Sequence, residues 1–172
     1  MQGGIENTPG SWDRHWSGTH DRYNRHHTDI WAALAPYVGE GLWVDLGCGP
    51  AAFWTHYDGR FVGVDSSRVG LQKAVSAVPH GIYIHADARN IPVPDEQFDG
   101  VMLSGLLDYF MDDWRPLLKE ARRIGKRGAP IVFTLLHGFE GHVWDSKDRV
   151  AEKVGHAALT YEVVGNWRVC VV

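Results

Sequence analysis

The chain has 172 residues, of which 44% are hydrophobic and 22% charged, a composition typical of one globular domain. The formal net charge of −4 argues against binding to nucleic acid through a basic surface, and two cysteines, Cys48 and Cys170, are too few for a disulfide framework. No apolar run approaches the ~18 residues needed to cross a bilayer, and the first residues lack the pattern of a signal peptide. We therefore expect a cytoplasmic protein without membrane association.

The N-terminal region combines an irregular beginning with a helical pattern. Residues 1–10 contain glycine, asparagine and proline without periodicity, and we expect them to form a flexible tail. From Ser11 onward, large side chains recur at spacings of three, four or seven, which places them on one face of a helix. These are Trp12, Trp16, Tyr23, His27, Ile30, Trp31 and Leu34. We expect residues 11–40 to form a helical cap on a single domain spanning residues 11–172.

The rest of the chain alternates between short apolar segments and helical patterns. Buried strands are predicted at residues 42–44, 61–64, 82–85, 101–103 and 131–136. Helices are predicted at 69–78, 106–110, 113–124 and 146–156, the last with Ser146 as its N-cap. Two further strands, 160–164 and 168–172, flank a Gly165-Asn166 pair typical of a hairpin turn. The predicted fold is α/β: a Rossmann-like, doubly wound sheet of seven strands with a C-terminal antiparallel hairpin.

A glycine turn follows the first predicted strand, in the sequence D-L-G-C-G-P-A-A at 45–52. Such a turn exposes backbone N–H groups to a ligand at the carboxyl edge of the sheet, although it can also be a turn with no ligand. Asp65 ends the next strand, where a carboxylate can bind the two hydroxyls of a ribose or cap the following helix. Asp45 precedes the glycines, and its negative charge favours a cationic ligand such as S-adenosylmethionine over the anionic pyrophosphate of NAD.

Three segments in this order resemble class I S-adenosylmethionine-dependent methyltransferases, in particular their small-molecule, type 11-like branch. They are V-D-L-G-C-G-P-A at 44–51, A-D-A-R-N-I-P-V-P-D-E-Q-F-D-G-V-M-L-S at 86–104, and the unit formed by residues 117–124 and 131–136. The resemblance implies that the backbone at Gly47 and Gly49 passes under the methionine part of the cofactor and that Asp65 binds its ribose. It further implies that Asp87 and Ala88 lie beside the adenine and Ser104 near the transferred methyl.

The full predicted cofactor site comprises Asp45, Gly47, Cys48, Gly49, Asp65, Ser66, Asp87, Ala88 and Ser104. Cys48 is interpreted as a small buried neighbour of the cofactor rather than as a nucleophile. Two departures from the family pattern concern this site. Ala51 stands where many relatives have glycine, and Gly105 to Tyr109 replace a segment that often carries a histidine or glutamate.

The general base cannot be assigned to one residue from the sequence. Methyl transfer from a sulfonium is an in-line displacement that needs alignment and, for some acceptors, removal of a proton. The catalytic candidates are His137, Asp108 and Tyr109, which follow predicted strands, with His142 further along the same loop as His137.

The N-terminal segment carries four histidines among its tryptophans, namely His15, His20, His26 and His27. Their spacing does not match a structural zinc site, and we expect no metal. The aromatic face either packs this segment on the sheet, with the histidines in solvent, or forms part of a lid over the substrate.

The predicted function is transfer of a methyl group from S-adenosylmethionine to a small organic acceptor, with S-adenosylhomocysteine as the product. The N-terminal helices and the loop at 138–145 are expected to cover the acceptor. Alternatives are a protein or RNA methyltransferase, a domain that binds the cofactor without catalysis, and an NAD(P)-dependent oxidoreductase. No nucleic-acid or membrane partner is expected, and the sequence does not indicate an oligomeric state.

Overall fold

A computed structural model describes residues 6–18, 28–110, 113–136, 146–155, 159–165 and 167–172. In these ranges the strands are β1 (Leu42–Leu46), β2 (Arg60–Asp65), β3 (Ile82–His85), β4 (Gly100–Leu103), β5 (Ile131–Leu136), β6 (Thr160–Val164) and β7 (Trp167–Val171). The α-helices are α1 (Pro9–Gly18), α2 (Thr28–Leu34), α3 (Arg68–Ala77), α4 (Arg115–Ile124) and α5 (Lys147–Val154). None of these helices is long and apolar enough to cross a membrane.

The strands form one sheet in the order β3-β2-β1-β4-β5-β7-β6. Strands β1 to β5 are parallel, whereas β7 pairs antiparallel with both β5 and β6. The predicted seven-stranded α/β sheet with its C-terminal hairpin is therefore confirmed. Because β1, β4 and β5 lie in the centre with helices on both faces, their side chains are almost entirely buried. The carboxyl ends of the parallel strands meet at one edge of the sheet, where such folds bind ligands.

The connection from β1 to β2 contains no α-helix. Parallel strands usually need a helical crossover, but the only helical element here is a short 3₁₀-helix, Phe53–Thr55. Large aromatic side chains cover the sheet in place of a helix. The Trp54 ring stacks on Phe61 with centroids 4.2 Å apart, and Trp43 and Trp54 are both fully buried.

Several predicted boundaries are shifted for local physical reasons. Helix α1 begins at Pro9 rather than Ser11, because Thr8 caps it by accepting the N–H of Ser11, so the last residues of the predicted tail are helical. The predicted helix at 106–110 is a 3₁₀-helix, Leu107–Tyr109. The predicted N-cap of α5 is confirmed, since the Ser146 side chain accepts the N–H of Arg149.

Helix α1 is attached to the N-terminal end of α3. The Asp13 carboxylate accepts hydrogen bonds from the Ser67 hydroxyl at 2.6 Å and from the Val69 N–H at 3.2 Å. A Cβ on Gly70 would come within 3.1 Å of the Trp16 ring, which explains a glycine inside a helix despite its cost of about 1 kcal/mol. Trp16 is thereby seated against α3, and α1 lies over the carboxyl edge of the sheet.

Candidate active site

A cavity of about 300 Å³ opens between the carboxyl ends of β1 to β4 and helix α1. This volume is at the lower end of the range for small-molecule sites. Six of the nine predicted cofactor residues line it: Gly47, Asp65, Ser66, Asp87, Ala88 and Ser104. The segments that follow four neighbouring strands therefore meet at one place.

The glycine turn is fixed by the carboxylate of Asp65. Its two oxygens accept the N–H groups of Gly49 at 2.8 Å and of Ser67 at 2.7 Å. Burial raises the pKa of Asp65, and the two N–H groups oppose that shift. Each carboxylate oxygen keeps a second lone pair, so Asp65 can hold the turn and still accept hydroxyl groups from a ligand.

Three residues of the turn have left-handed backbone conformations. Gly47 and Gly49 have φ values of +72° and +49°, for which glycine carries no steric penalty. Ala51 also has a positive φ, +57°, a conformation that carries a steric cost for a residue other than glycine. Gly49 does not line the cavity directly, because the Trp16 ring packs against it.

Asp87 forms a close ion pair with a cavity residue that the sequence analysis missed. The Arg89 guanidinium binds both Asp87 oxygens and lies 5.5 Å from the centre of the Phe110 ring. These hydrogen bonds lower the pKa of Asp87, which is therefore ionised at neutral pH. An arginine two residues after an aspartate is too common to single out in a sequence.

Asp45, a predicted residue of the cofactor site, does not line the cavity. Its side chain is 3% exposed, and one oxygen accepts the indole N–H of Trp54 at 3.0 Å. Its other oxygen has no hydrogen-bond partner among the described residues. Burial raises the pKa of Asp45 to about 7, so the carboxyl carries a full negative charge only well above neutral pH. The negative charge that was expected to favour S-adenosylmethionine over NAD is therefore reduced at neutral pH.

Substituting Trp54 with phenylalanine tests this buried pair. Stacking on Phe61 should persist, whereas Asp45 loses its donor, and we expect the free energy of unfolding to fall by about 1–3 kcal/mol in urea denaturation. The matched control is Trp43→Phe, which removes an indole N–H bound to the neutral carbonyl of Gly39. Equal losses in the two variants would contradict a special role for the Asp45 carboxyl.

Cys48 and Ser104 differ in their relation to the cavity. Cys48 is buried beneath the turn, and burial raises the pKa of its thiol well above the usual value, which fits an unreactive side chain. Ser104 lines the cavity at the end of β4. The segment behind it is fixed by Thr134 of β5, whose hydroxyl accepts the N–H of Gly105 at 2.8 Å.

The catalytic candidates fall into different environments. Asp108 is not one of the residues that line the cavity; it accepts the N–H of Leu136, and burial raises its pKa to about 6. Tyr109 lines the cavity, but desolvation and Asp108 raise the pKa of its phenol, which disfavours a role as a base. His137 and His142, together with the loop at 138–145, lie outside the described residues.

An aromatic roof covers the cavity. It is formed by Trp12, His15 and Trp16 of α1 together with Tyr109 and Phe110. The Trp12 and Tyr109 rings meet edge to face with centroids 4.6 Å apart, and the Asn7 amide donates to the backbone carbonyl of Tyr109. The described part of the N-terminal segment thus covers the cavity while it packs on the domain. No group of three metal-ligating side chains occurs among the described residues.

A family model described as "Methyltransferase domain" matches residues 44–133, more than half of the chain. The chain belongs to this methyltransferase family. The resemblance of the three sequence segments is thus confirmed, and the protein is an S-adenosylmethionine-dependent methyltransferase of class I. Membership of this family implies S-adenosylmethionine rather than NAD as the cofactor.

Solved structures of distant methyltransferases share the fold. A SAM-dependent methyltransferase of Thermotoga maritima, given as a possible histamine N-methyltransferase, is 18% identical with a TM-score of 0.74, over 93% of this chain and 96% of the other. A complex of the Haloferax volcanii Trm112 methyltransferase activator with a candidate methyltransferase gives 20% identity and a TM-score of 0.75, again over 93% and 96%. A SAM-dependent methyltransferase of Aquifex aeolicus is 14% identical with a TM-score of 0.68, over 95% of this chain and 96% of the other. No curated protein matches this methyltransferase.

Proposed function

We propose that this methyltransferase transfers the methyl group of S-adenosylmethionine to a small organic acceptor held in the cavity under α1. The observation that carries the proposal is the composition of the cavity wall. Residues that follow β1 to β4 form one side, and the aromatic roof forms the other. A ligand bound against the strand ends would therefore face a mostly apolar space.

The residues of the strand side fit the cofactor. Asp65 has lone pairs left for ribose hydroxyls, and Asp87 is an ionised acceptor at the edge of the cavity. Ser66 and Ala88 flank these carboxylates, and Gly47 and Ser104 continue the same wall. When bound, the cofactor supplies a methyl group activated by a sulfonium, so the chain itself need only align the acceptor and exclude water.

The cover over the cavity favours a small acceptor over a macromolecule. Trp12 packs on Tyr109, and Asp13 ties α1 to the start of α3, so the aromatic roof closes over the strand ends. A protein or RNA substrate would need an open face at this position. The net charge of −4 also disfavours RNA. We further propose that the protein works in the cytoplasm, where its two buried cysteines remain thiols.

Transfer of a labelled methyl group tests the proposal. The chain is incubated with methyl-labelled S-adenosylmethionine and a cell extract separated by ultrafiltration into a small-molecule and a macromolecular fraction. We expect label to enter the small-molecule fraction, with release of S-adenosylhomocysteine. Label in protein or RNA would contradict the proposed acceptor. Binding of S-adenosylmethionine in calorimetry with no transfer to either fraction would indicate a non-catalytic domain.

A further inference from the structure

Helix α1 contacts both the glycine turn and the start of α3. The Trp16 ring packs on Gly49, where an added Cβ would come within 2.7 Å of it. The Asp13 carboxylate accepts the hydroxyl of Ser67 at 2.6 Å. Residues three apart are neighbours on a helix, so Asp13 and Trp16 lie on the same side of α1. One side of α1 therefore touches Gly49 and Ser67 together.

Gly49 and Ser67 are also the two residues whose N–H groups Asp65 holds. One Asp65 oxygen accepts the N–H of Gly49 at 2.8 Å, and the other accepts the N–H of Ser67 at 2.7 Å. Ser67 is completely buried, and its hydroxyl accepts the N–H of Gly70 while it donates to Asp13. A continuous series of hydrogen bonds thus runs from α1 through Ser67 to the carboxylate proposed to bind the ribose.

Polar contacts contribute much of what holds α1 in this position. Of its ten residues, Ser11 and Trp16 are buried, and a free helix of this length is marginal in water. Besides the Ser67 hydroxyl, Asp13 accepts the N–H of Val69 at 3.2 Å, at the N-terminal end of α3 where a negative charge is favourable. The ammonium of Lys73 donates to the backbone carbonyl of Trp16. Asp13 is therefore a central attachment point between α1 and α3.

We infer that Asp13 is a positioning residue for the cofactor, and that docking of α1 and binding of S-adenosylmethionine strengthen each other through it. The inference rests on the proposed function, because it takes the cavity as the cofactor site. Trp12 and Trp16 line the cavity from α1, so a cofactor bound at the strand ends lies beneath them. Contacts that hold α1 in place slow the escape of that cofactor. By linkage, the cofactor must stabilise the docked position of α1 by the same factor.

Asp13→Ala and Asp13→Asn test the role of the hydrogen bonds. Alanine removes them, and we expect binding of S-adenosylhomocysteine in calorimetry to weaken by about 10-fold, within the usual range for coupling between two events. Faster dissociation in stopped-flow tryptophan fluorescence should account for most of the loss. Asparagine keeps an oxygen for the Ser67 hydroxyl and should bind nearly as wild type. Arg14→Ala is the matched control, because Arg14 is exposed on the same helix and donates to Ser11 within it.

Hydrogen exchange of the wild-type chain tests the reciprocal effect without any substitution. Saturating S-adenosylhomocysteine should slow the exchange of the backbone N–H groups of α1. In Asp13→Ala without cofactor, the same N–H groups should exchange faster than in wild type. The N–H groups of α4 should exchange equally in both chains, which would separate a local effect on α1 from a general loss of stability.

Three results would overturn the inference. A folded Asp13→Ala chain could bind S-adenosylhomocysteine as tightly as wild type, or the cofactor could leave the exchange of α1 unchanged. Asp13→Asn could also lose as much affinity as Asp13→Ala, which would assign the effect to charge rather than to the hydrogen bonds. All three leave the proposed function standing, since they need no acceptor. Wild type that binds neither S-adenosylmethionine nor S-adenosylhomocysteine would overturn the proposed function, and this inference with it.

Discussion

Replacing Asp65 with alanine is expected to weaken binding of both S-adenosylmethionine and S-adenosylhomocysteine by at least about 100-fold, which corresponds to about 3 kcal/mol. The reason is the number of contacts that converge on this carboxylate. It holds the N–H groups of Gly49 and Ser67, and it lines the cavity where the ribose is proposed to lie. Hydrogen bonds to a charged group contribute about 1.5–3 kcal/mol each.

The two ligands should lose affinity by the same factor, because they share the ribose and differ in the methyl group and charge at sulfur. Isothermal calorimetry measures both, and circular dichroism shows whether the variant remains folded. Asp58→Ala is a matched control, since Asp58 is exposed and precedes β2 at the opposite end of the sheet from the cavity. Unchanged affinity in a folded Asp65→Ala chain would place the ribose elsewhere. A loss confined to S-adenosylmethionine would mean that Asp65 interacts with the sulfonium instead.

The parts of the fold that were predictable from sequence are those fixed by local patterns. Strands β3, β5 and β6 have the predicted bounds, because each is a short run of apolar or β-branched residues between turn signals. Strands β6 and β7 pair as the predicted hairpin for a similar reason, since a left-handed backbone conformation at Gly165 matches the twist of the strands. The order of the glycine turn, Asp65 and Asp87 likewise places these residues at adjacent strand ends.

The parts that were not predictable depend on contacts between distant segments. Asp45 was expected to face a ligand, but the crossover after β1 has a 3₁₀-helix that carries Trp54 under it. The local sequence does not show whether Trp54 packs against Asp45 from a 3₁₀-helix or lies in an ordinary α-helix. Similarly, the spacing of Trp12, His15 and Trp16 shows that they share a face, but not that this face covers the cavity. That fact depends on Asp13 binding the start of α3.

Replacing Asp45 with asparagine is expected to make the protein's stability less dependent on pH. The ordinary pKa of this carboxyl is 3.8 and burial raises it to about 7. Below about pH 4 the group is protonated in both the folded and the unfolded chain and contributes no difference. As the pH rises toward 7, ionisation of Asp45 stabilises the unfolded chain, whereas the carboxyl stays protonated in the folded chain. The free energy of unfolding therefore falls. One pKa unit corresponds to 1.36 kcal/mol, which gives a loss of up to about 4 kcal/mol for this residue.

The measurement is urea denaturation of wild type and Asp45→Asn at several pH values between about 4 and 8. The asparagine amide does not titrate, and its oxygen can still accept the Trp54 N–H. As the pH rises, the free energy of unfolding of Asp45→Asn should therefore increase relative to that of wild type. Asp99→Asn is the control of opposite sign, because Lys126 and the Leu42 N–H lower the pKa of Asp99. There, the advantage of wild type should stay constant over this range, and it should be lost only when the pH falls below about 4. A difference between wild type and Asp45→Asn that does not change with pH would mean that the Asp45 carboxyl is ionised in the fold. In that case the negative charge of Asp45, beside the glycine turn, would favour a cationic cofactor.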